Sequence, residues 1–252
     1  MFSDILPDVG LMSEQALNKV AELALSTQLN EADSLTVEVN TNPSKLTQGE
    51  LESLLIDGKG LVMRKDFRME VLQIQMSRIS VDPMKAITGT IELTQPTQGS
   101  AHVVLTDADI NRAFNSDIFN DQTKNIKIDL EGKQVTVDGE EIQSHFLGNG
   151  KVKNYSTIRI RETGEKRKIA FTTIPRIEEG GRGFFLDDVQ YVEGNELSPK
   201  LTDAILKSTQ DILSLKNYEI DGIALQVQQL DVQEGKLILK AIANVTKLPS
   251  TD

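Results

Sequence analysis

Two periods of alternating apolar and polar positions run through this chain. Over residues 13–29, Ala16, Leu17, Val20, Ala21, Ala24 and Leu25 recur at helical spacing behind Ser13, a suitable cap, and predict a helix. From Leu35 onward the period is two. Leu35, Val37 and Val39 alternate with Thr36, Glu38 and Asn40, as in a half-buried strand. Residues 54–64 and 66–83 predict two longer strands. In the second, Phe67, Met69 and Val71 share one face, and Leu72, Ile74 and Met76 take the opposite phase. Another phase change precedes Ile79 and Val81. Phase changes within one run predict β-bulges, which bend and twist a strand and suit a strongly curved sheet.

Further strands are predicted at 90–94 and 101–105. A short helix follows at 106–116, with Thr106 as N-cap and Asp107 and Asp109 in the first turn, where the helix dipole favours acids. Residues 126–192 read as strand after strand, with a hairpin turn at 162–165 around Gly164. Residues 198–215 predict a helix capped by Ser198, with Pro199 at its first position and Leu201, Ile205, Ser208, Ile212 and Leu215 on one face. Two last strands turn at Glu234-Gly235. Residues 56–63 echo 220–227, and Val137-Asp138-Gly139 repeats the first three positions. Asp-Gly turn chemistry and a duplicated unit both account for that echo. Connections are short and no strand–helix–strand alternation occurs, which argues against a doubly wound sheet. The expected class is α+β: one large, strongly curved antiparallel sheet on two or three helices, forming a single domain over 1–252.

The composition of the 252 residues narrows the function. Without cysteine there is no disulfide framework, thiolate zinc site or iron–sulfur cluster. A formal charge of −11 makes nucleic acid an unexpected partner. No run of ~18–20 apolar residues could span a bilayer as a helix. The N-terminus, with Asp4 and Asp8 and no basic residue before Lys19, does not read as a secretory signal, so the expected location is the cytoplasm.

Motifs for chemistry fail in detail. The two histidines, His102 and His145, lie far apart in strand-like segments, and neither a zinc-protease helix motif nor a nucleophile elbow is present. Gly148-Asn149-Gly150-Lys151 resembles the end of a phosphate loop, but Val152 stands where Ser or Thr is needed. Asp107-Ala108-Asp109-Ile110-Asn111 begins like a calcium loop, but Arg112 and Ile118 replace its glycine and its glutamate. Glu140-Glu141, Glu178-Glu179 and Asp187-Asp188 are chain neighbours, which an ordinary strand points to opposite faces. No catalytic residue, metal site or cofactor is expected.

Aliphatic wealth and uneven charge remain. Residues 1–60 are net −7, while residues 151–168 are net +5. Arg64, Lys65 and Arg68 make a second basic knot. Basic side chains near an anionic membrane surface contribute ~1 kcal/mol each.

Residues 58–83 (GKGLVMRKDFRMEVLQIQMSRISVDP), residues 93–116 (LTQPTQGSAHVVLTDADINRAFNS) and a C-terminal IDGIAL…GKLIL pattern with Tyr218 at its aromatic position resemble the LmeA-like phospholipid-binding family. The resemblance runs over about residues 12–248. It implies a fold similar to the tubular lipid-binding superfamily, in which a curved sheet wraps a helix around an apolar cavity. It implies a phospholipid or other acyl lipid as partner, with peripheral contact at a membrane and transfer or sensing as the role. On this reading Met63, Met69, Val71, Leu72, Ile74 and Met76 form the sheet side of the cavity, and Ile110, Phe114, Leu201, Ile205 and Ile212 the helix side. Arg64, Lys65, Arg68, Arg159, Arg161, Lys166, Arg167 and Lys168 are the expected headgroup contacts. The competing expectation is a lipid-free β-rich interaction module.

Overall fold

The structure, a computed structural model, describes residues 14–27, 29–63, 67–82, 93–116, 123–130, 132–192, 207 and 223–246. Its strands are β1 (Leu29–Glu31), β2 (Ser34–Asn40), β3 (Glu50–Met63), β4 (Phe67–Ser80), β5 (Thr97–Thr106), β6 (Ile126–Leu130), β7 (Lys133–Gly148), β8 (Lys151–Ile160), β9 (Lys166–Ile177), β10 (Phe184–Tyr191), β11 (Ile223–Gln233) and β12 (Lys236–Val245). The helices are α1 (Glu14–Ser26), the single turn α2 (Pro43–Leu46) and α3 (Asp107–Phe114). The predicted antiparallel pairing holds, but the described residues are mostly strand with few helices, and the single large sheet expected of an α+β fold divides into two. One has seven strands in the order β1-β3-β4-β5-β12-β11, with β2 also on β3; the other is the meander β10-β9-β8-β7-β6. The division arises because β12 takes the edge of β5, which leaves β6–β10 to pair among themselves. Among the described residues two helices exceed one turn; the helix expected at 198–215 lies outside them, as do Ser13 and residues 90–92.

Register explains how the curled seven-stranded sheet acquires two unlike faces. Directly paired residues share a face, and alternate residues return to it. Three rows therefore run across β2, β3, β4, β5, β12 and β11. They are Leu35–Gly58–Leu72–Val103–Leu239–Leu230, Val37–Ile56–Ile74–Ala101–Ala241–Val227 and Val39–Leu54–Met76–Gly99–Ala243–Leu225. Every member is apolar. Between them, on the opposite face, runs Thr36–Asp57–Gln73–His102–Lys240–Gln229. There the Gln73 amide donates to Asp57 (2.8 Å) and its carbonyl oxygen meets His102 Nδ1 (3.1 Å).

The phase changes in β4 are real, but their cause is not the expected bulge. The β3–β4 register is continuous, with Lys59 opposite Val71, Leu61 opposite Met69, Leu51 opposite Ile79 and Ser53 opposite Ser77. Arg78 (φ 56°) enters the left-handed region, which resets the alternation of β4 before Ile79 without adding a residue, and Gly60 (φ 58°) does the same in the paired strand β3, between the partners of Val71 and Met69. Met69 thus joins Leu61, Leu105 and Leu72 in one core cluster, although Leu72 was expected on the other face. Val71 faces away, opposite Val104. After Arg78, Ile79 and Val81 rejoin Met76 and Ile74. Inserted residues do occur elsewhere, at Val227/Gln229 in β11–β12, Glu140/Gln143 in β7–β8 and Asp187/Gln190 in β9–β10.

Two Asp-Gly pairs of the internal echo are not turns. Asp57-Gly58 lies inside β3 and Asp138-Gly139 inside β7. At Gly58 a Cβ would stand 2.5 Å from the buried Leu61 side chain, so glycine is required for close packing. The predicted hairpins at Gly164 (φ 71°) and Glu234-Gly235 (φ 72°) form as expected.

Helix α3 joins the sheets. Thr106 and Asp109 make a reciprocal capping box. Asp107, Asn111 and Asn115, four residues apart, meet alternate residues of β7. The Asp107 carboxylate accepts the Phe146 N–H (2.8 Å). Asn111 accepts the Ser144 N–H (2.6 Å) and donates to the Ser144 carbonyl (3.1 Å). Asn115 donates to the Ile142 carbonyl (3.0 Å). Four helical residues rise about 6 Å and two strand residues about 6.6 Å, so the spacings match. The side chains act as a neighbouring strand where β6, paired only through Val137, has ended. Below them Ile110 packs on both the Leu61–Met69–Leu105 cluster and the Phe146–Val152–Val232 cluster.

Candidate functional site

The apolar face of the seven-stranded sheet is the first candidate. Its accessibility is unusual in where it lies. Val37, Val39 and Ile56 at one flank and Val227 at the other are buried, as are Met76 and Ala243. Leu72, Ile74, Ala101, Val103, Leu239 and Ala241, in the middle, are only half-buried, and Leu225 is 36% exposed. A sheet packed flush on a second layer is driest at its centre. Here only the middle row is more open at its centre, at Ile74, Ala101 and Ala241, than at its flanks; the first row is half-buried at its centre and at both outer ends, and in the third Met76, Gly99 and Ala243 are buried. Gly99 is not empty space, however: a Cβ there would meet Met76 at 2.6 Å, so the methionine lies over it.

Of the expected sheet-side residues, Leu72, Ile74 and Met76 lie in these rows. Met69 is buried in the adjoining cluster, and Met63 packs against it. Val71 turns to the other face. On the helix side, Ile110 is at the junction of the sheets and Phe114 is half-buried in α3. Leu201, Ile205 and Ile212 lie outside the described residues, as do Arg64 and Lys65. The residues missed from sequence were the partners across the face: Val103, Ala101, Leu239, Ala241, Leu230 and Val227. Each strand's alternation was a visible signal, but strand order was needed to place them in one row.

Most expected headgroup cations are engaged by carboxylates. Arg68 bonds Asp109 (2.6 Å), which is 1% exposed, and Glu70 (2.9 Å). These bonds hold its guanidinium above its ordinary pKa. Arg161 (2.7 Å) and Arg159 (3.0 Å) converge on Asp138, also 1% exposed. The hydrogen bond from Arg161 holds the Asp138 carboxyl below its ordinary pKa against the opposing effect of burial, and the Asn125 N–H adds to it. Arg159 and Lys166 share Glu140, and Arg167 bonds Glu165. Arg68 thus fastens α3 to β4, and the arginine pair supplies the counter-charge of a buried carboxylate.

A concavity of about 640 Å³, open to solvent, lies on the five-stranded sheet. Glu141, Gln143, His145, Tyr155, Ser156, Thr157, Lys168, Ile169, Ala170 and Val192 line it. The bulge with Glu141 at φ 51° places Glu140 and Glu141 on one face, against the expectation for chain neighbours. Glu140 bonds Arg159 and Lys166, and Glu141 accepts from the Thr157 hydroxyl (3.0 Å), which stands opposite Glu140. His145 Nδ1 lies 3.4 Å from Asp107, while the Ser156 hydroxyl turns to backbone carbonyls of Glu140 and Thr157. Among the described residues no group of three or more His, Asp or Glu side chains is placed to hold a metal ion, and no helix is long and apolar enough to cross a membrane.

A curled antiparallel sheet with one apolar face defines the class: a mostly β protein with few helices. The chain belongs to the LmeA-like phospholipid-binding family, whose match spans residues 10–242. No curated protein and no solved structure matches it.

Proposed function

We propose that this protein is a non-catalytic carrier that takes phospholipid acyl chains onto the apolar face of its seven-stranded sheet and exchanges them with a membrane. The half-buried apolar residues at the middle of two of its three rows are the observation that carries the reading. Leu72, Ile74, Ala101, Val103, Leu239 and Ala241 would line the hydrocarbon slot, and Met76 would adapt to an irregular chain. Family membership supports the lipid class.

The energetics favour exchange over permanent capture. Taking a chain from water is worth ~0.8 kcal/mol per CH₂, on the order of 12 kcal/mol for sixteen carbons. A lipid leaving a bilayer brings no such gain, because its chains are already dry. Transfer then lies near zero net free energy and runs in either direction. Polar surroundings exclude water poorly, so the slot must stay apolar at its centre to balance the bilayer.

Native mass spectrometry of protein purified from cells tests this. A fraction should exceed the bare 27.9 kDa by the mass of a phospholipid. Ala101→Leu with Ala241→Leu fills the middle of the face while keeping it apolar, and should abolish the added mass with the fold intact. Only the bare mass, where a known lipid carrier keeps its ligand, overturns the proposal.

A further inference from the structure

The open concavity on the five-stranded sheet has a chemistry unlike the acyl face. Register places four rows on its side of the sheet. His145–Lys153–Thr172 is the first, Gln143–Tyr155–Ala170 the second, Glu140–Thr157–Lys168 the third and Asp138–Arg159–Lys166 the fourth. In the fourth row the cations are matched by buried or half-buried carboxylates. In the first three they are not: among the described residues neither Lys153 nor Lys168 makes an ion pair. The Lys153 ammonium leans back over the Tyr155 ring, 5.0 Å from its centroid, and His145 meets the same ring edge-on at 6.0 Å. Lys153 and His145 thus stand on one side of Tyr155 and Lys168 on the other. Ala170, buried and small, forms the floor between them. The Gln143 amide, the Tyr155 phenol and the Thr157 hydroxyl add neutral hydrogen-bonding groups. Three carboxylates oppose an anion here: Glu141, whose charge is partly taken up by the Thr157 hydroxyl, Glu140, which Arg159 and Lys166 engage, and Asp107, which lies 3.4 Å from His145 and accepts the Phe146 N–H.

We infer that this concavity is a binding site for a phosphate monoester or diester, held by the Lys168 ammonium that lines it and by the Lys153 ammonium over the Tyr155 ring at its side. Two strongly hydrated point charges on flexible stems suit a phosphate, whose oxygens accept from several directions. The site is remote in sequence and strand order from the acyl rows, so it stands whether or not those rows carry lipid. The phosphate could belong to a lipid headgroup at a membrane surface or to a soluble ester, and one set of variants separates the two.

Isothermal titration calorimetry with glycerol phosphate, and co-sedimentation with vesicles of phosphatidylglycerol in phosphatidylcholine or of phosphatidylcholine alone, are measured on the full chain. Lys153→Gln with Lys168→Gln should weaken whichever binding is seen by at least about tenfold, the loss expected for two charge-assisted contacts. Glu141→Gln should strengthen it, and Lys240→Gln, on the other sheet, should change nothing. An unchanged urea midpoint shows that the fold is retained. Binding of soluble ester that the lysine pair abolishes assigns a free phosphate ligand. Binding only of anionic vesicles, lost in the same variant, assigns a headgroup. Binding of neither probe, or binding indifferent to both lysines, overturns the inference. The lipid mass seen by native mass spectrometry is read separately, so failure of this site and failure of the acyl face are distinguishable.

Discussion

At the scale of single residues, several side chains hold places that no neighbour along the chain explains. Gly58 is inside a strand because Leu61 occupies the space its Cβ would take. Gly58→Ala should therefore lower stability by about 2 kcal/mol through overpacking, seen as a lower urea midpoint at unchanged slope. Asp138 is a buried carboxylate kept ionised by two arginines and the Asn125 N–H. Its folded pKa lies below the unfolded value, so the stability it contributes is complete above the ordinary carboxylate range and is lost as pH falls through the lowered value. Asp138→Asn should cost about 2–3 kcal/mol at neutral pH. It should also flatten the part of the acid limb below about pH 4 that this group supplies, measured as urea midpoints against pH. Sequence showed both arginines and the acid, but read the arginines as solvent-facing headgroup contacts. Nothing in local spacing revealed that Asp138, two residues from Glu140 on the same strand face, would be the buried partner.

Among elements, α3 carries an unusual share of the architecture for eight residues. Its first turn is fixed by the Thr106–Asp109 box and by Arg68, and its side chains at 107, 111 and 115 substitute for a strand on β7. Asn111→Ala leaves the Ser144 N–H and carbonyl without those partners and should cost about 2–3 kcal/mol. Hydrogen exchange should localise the effect, with the Ser144 and Phe146 amides losing protection before those of β8 and β9. The Thr106 cap and the acidic first turn were legible from sequence, and the Asp107–Asn111–Asn115 spacing was there to be seen. Its meaning was not, because a polar stripe at every fourth position is also what a solvated helix face shows. The β4 phase changes were legible too, yet the β3–β4 register carries no added residue, and the second change falls at the left-handed backbone of Arg78.

On the scale of the whole molecule, the two sheets differ in the side chains they present. The seven-stranded sheet presents three apolar rows, and the five-stranded sheet presents cations that are mostly paired. Lipid bound to the folded state alone must stabilise it, by about 2.7 kcal/mol at a hundredfold excess over the dissociation constant. For a chain of this size that corresponds to a rise of roughly 5–10 °C in the melting temperature. Thermal unfolding with and without phosphatidylglycerol vesicles should show the rise, and the Ala101→Leu/Ala241→Leu protein should not. A wild-type protein indifferent to every lipid tried would remove the thermodynamic signature of a carrier.

The alternation of residues by itself determined that nearly every strand would have one apolar side, that pairing would be antiparallel and that α3 would begin at Thr106. These follow from the two-residue repeat, short connections and capping chemistry, all of which act within a few residues. Tertiary structure alone decided that β12 would insert beside β5, because strand order is set by competition between distant edges. That insertion extended the apolar face of β2–β5 across β12 and β11, while the β7–β8 pairing set Arg159 opposite Asp138 and the approach of α3 to β4 brought Asp109 to Arg68. Local patterning fixes which side of a strand is apolar; only long-range pairing fixes what that side will meet.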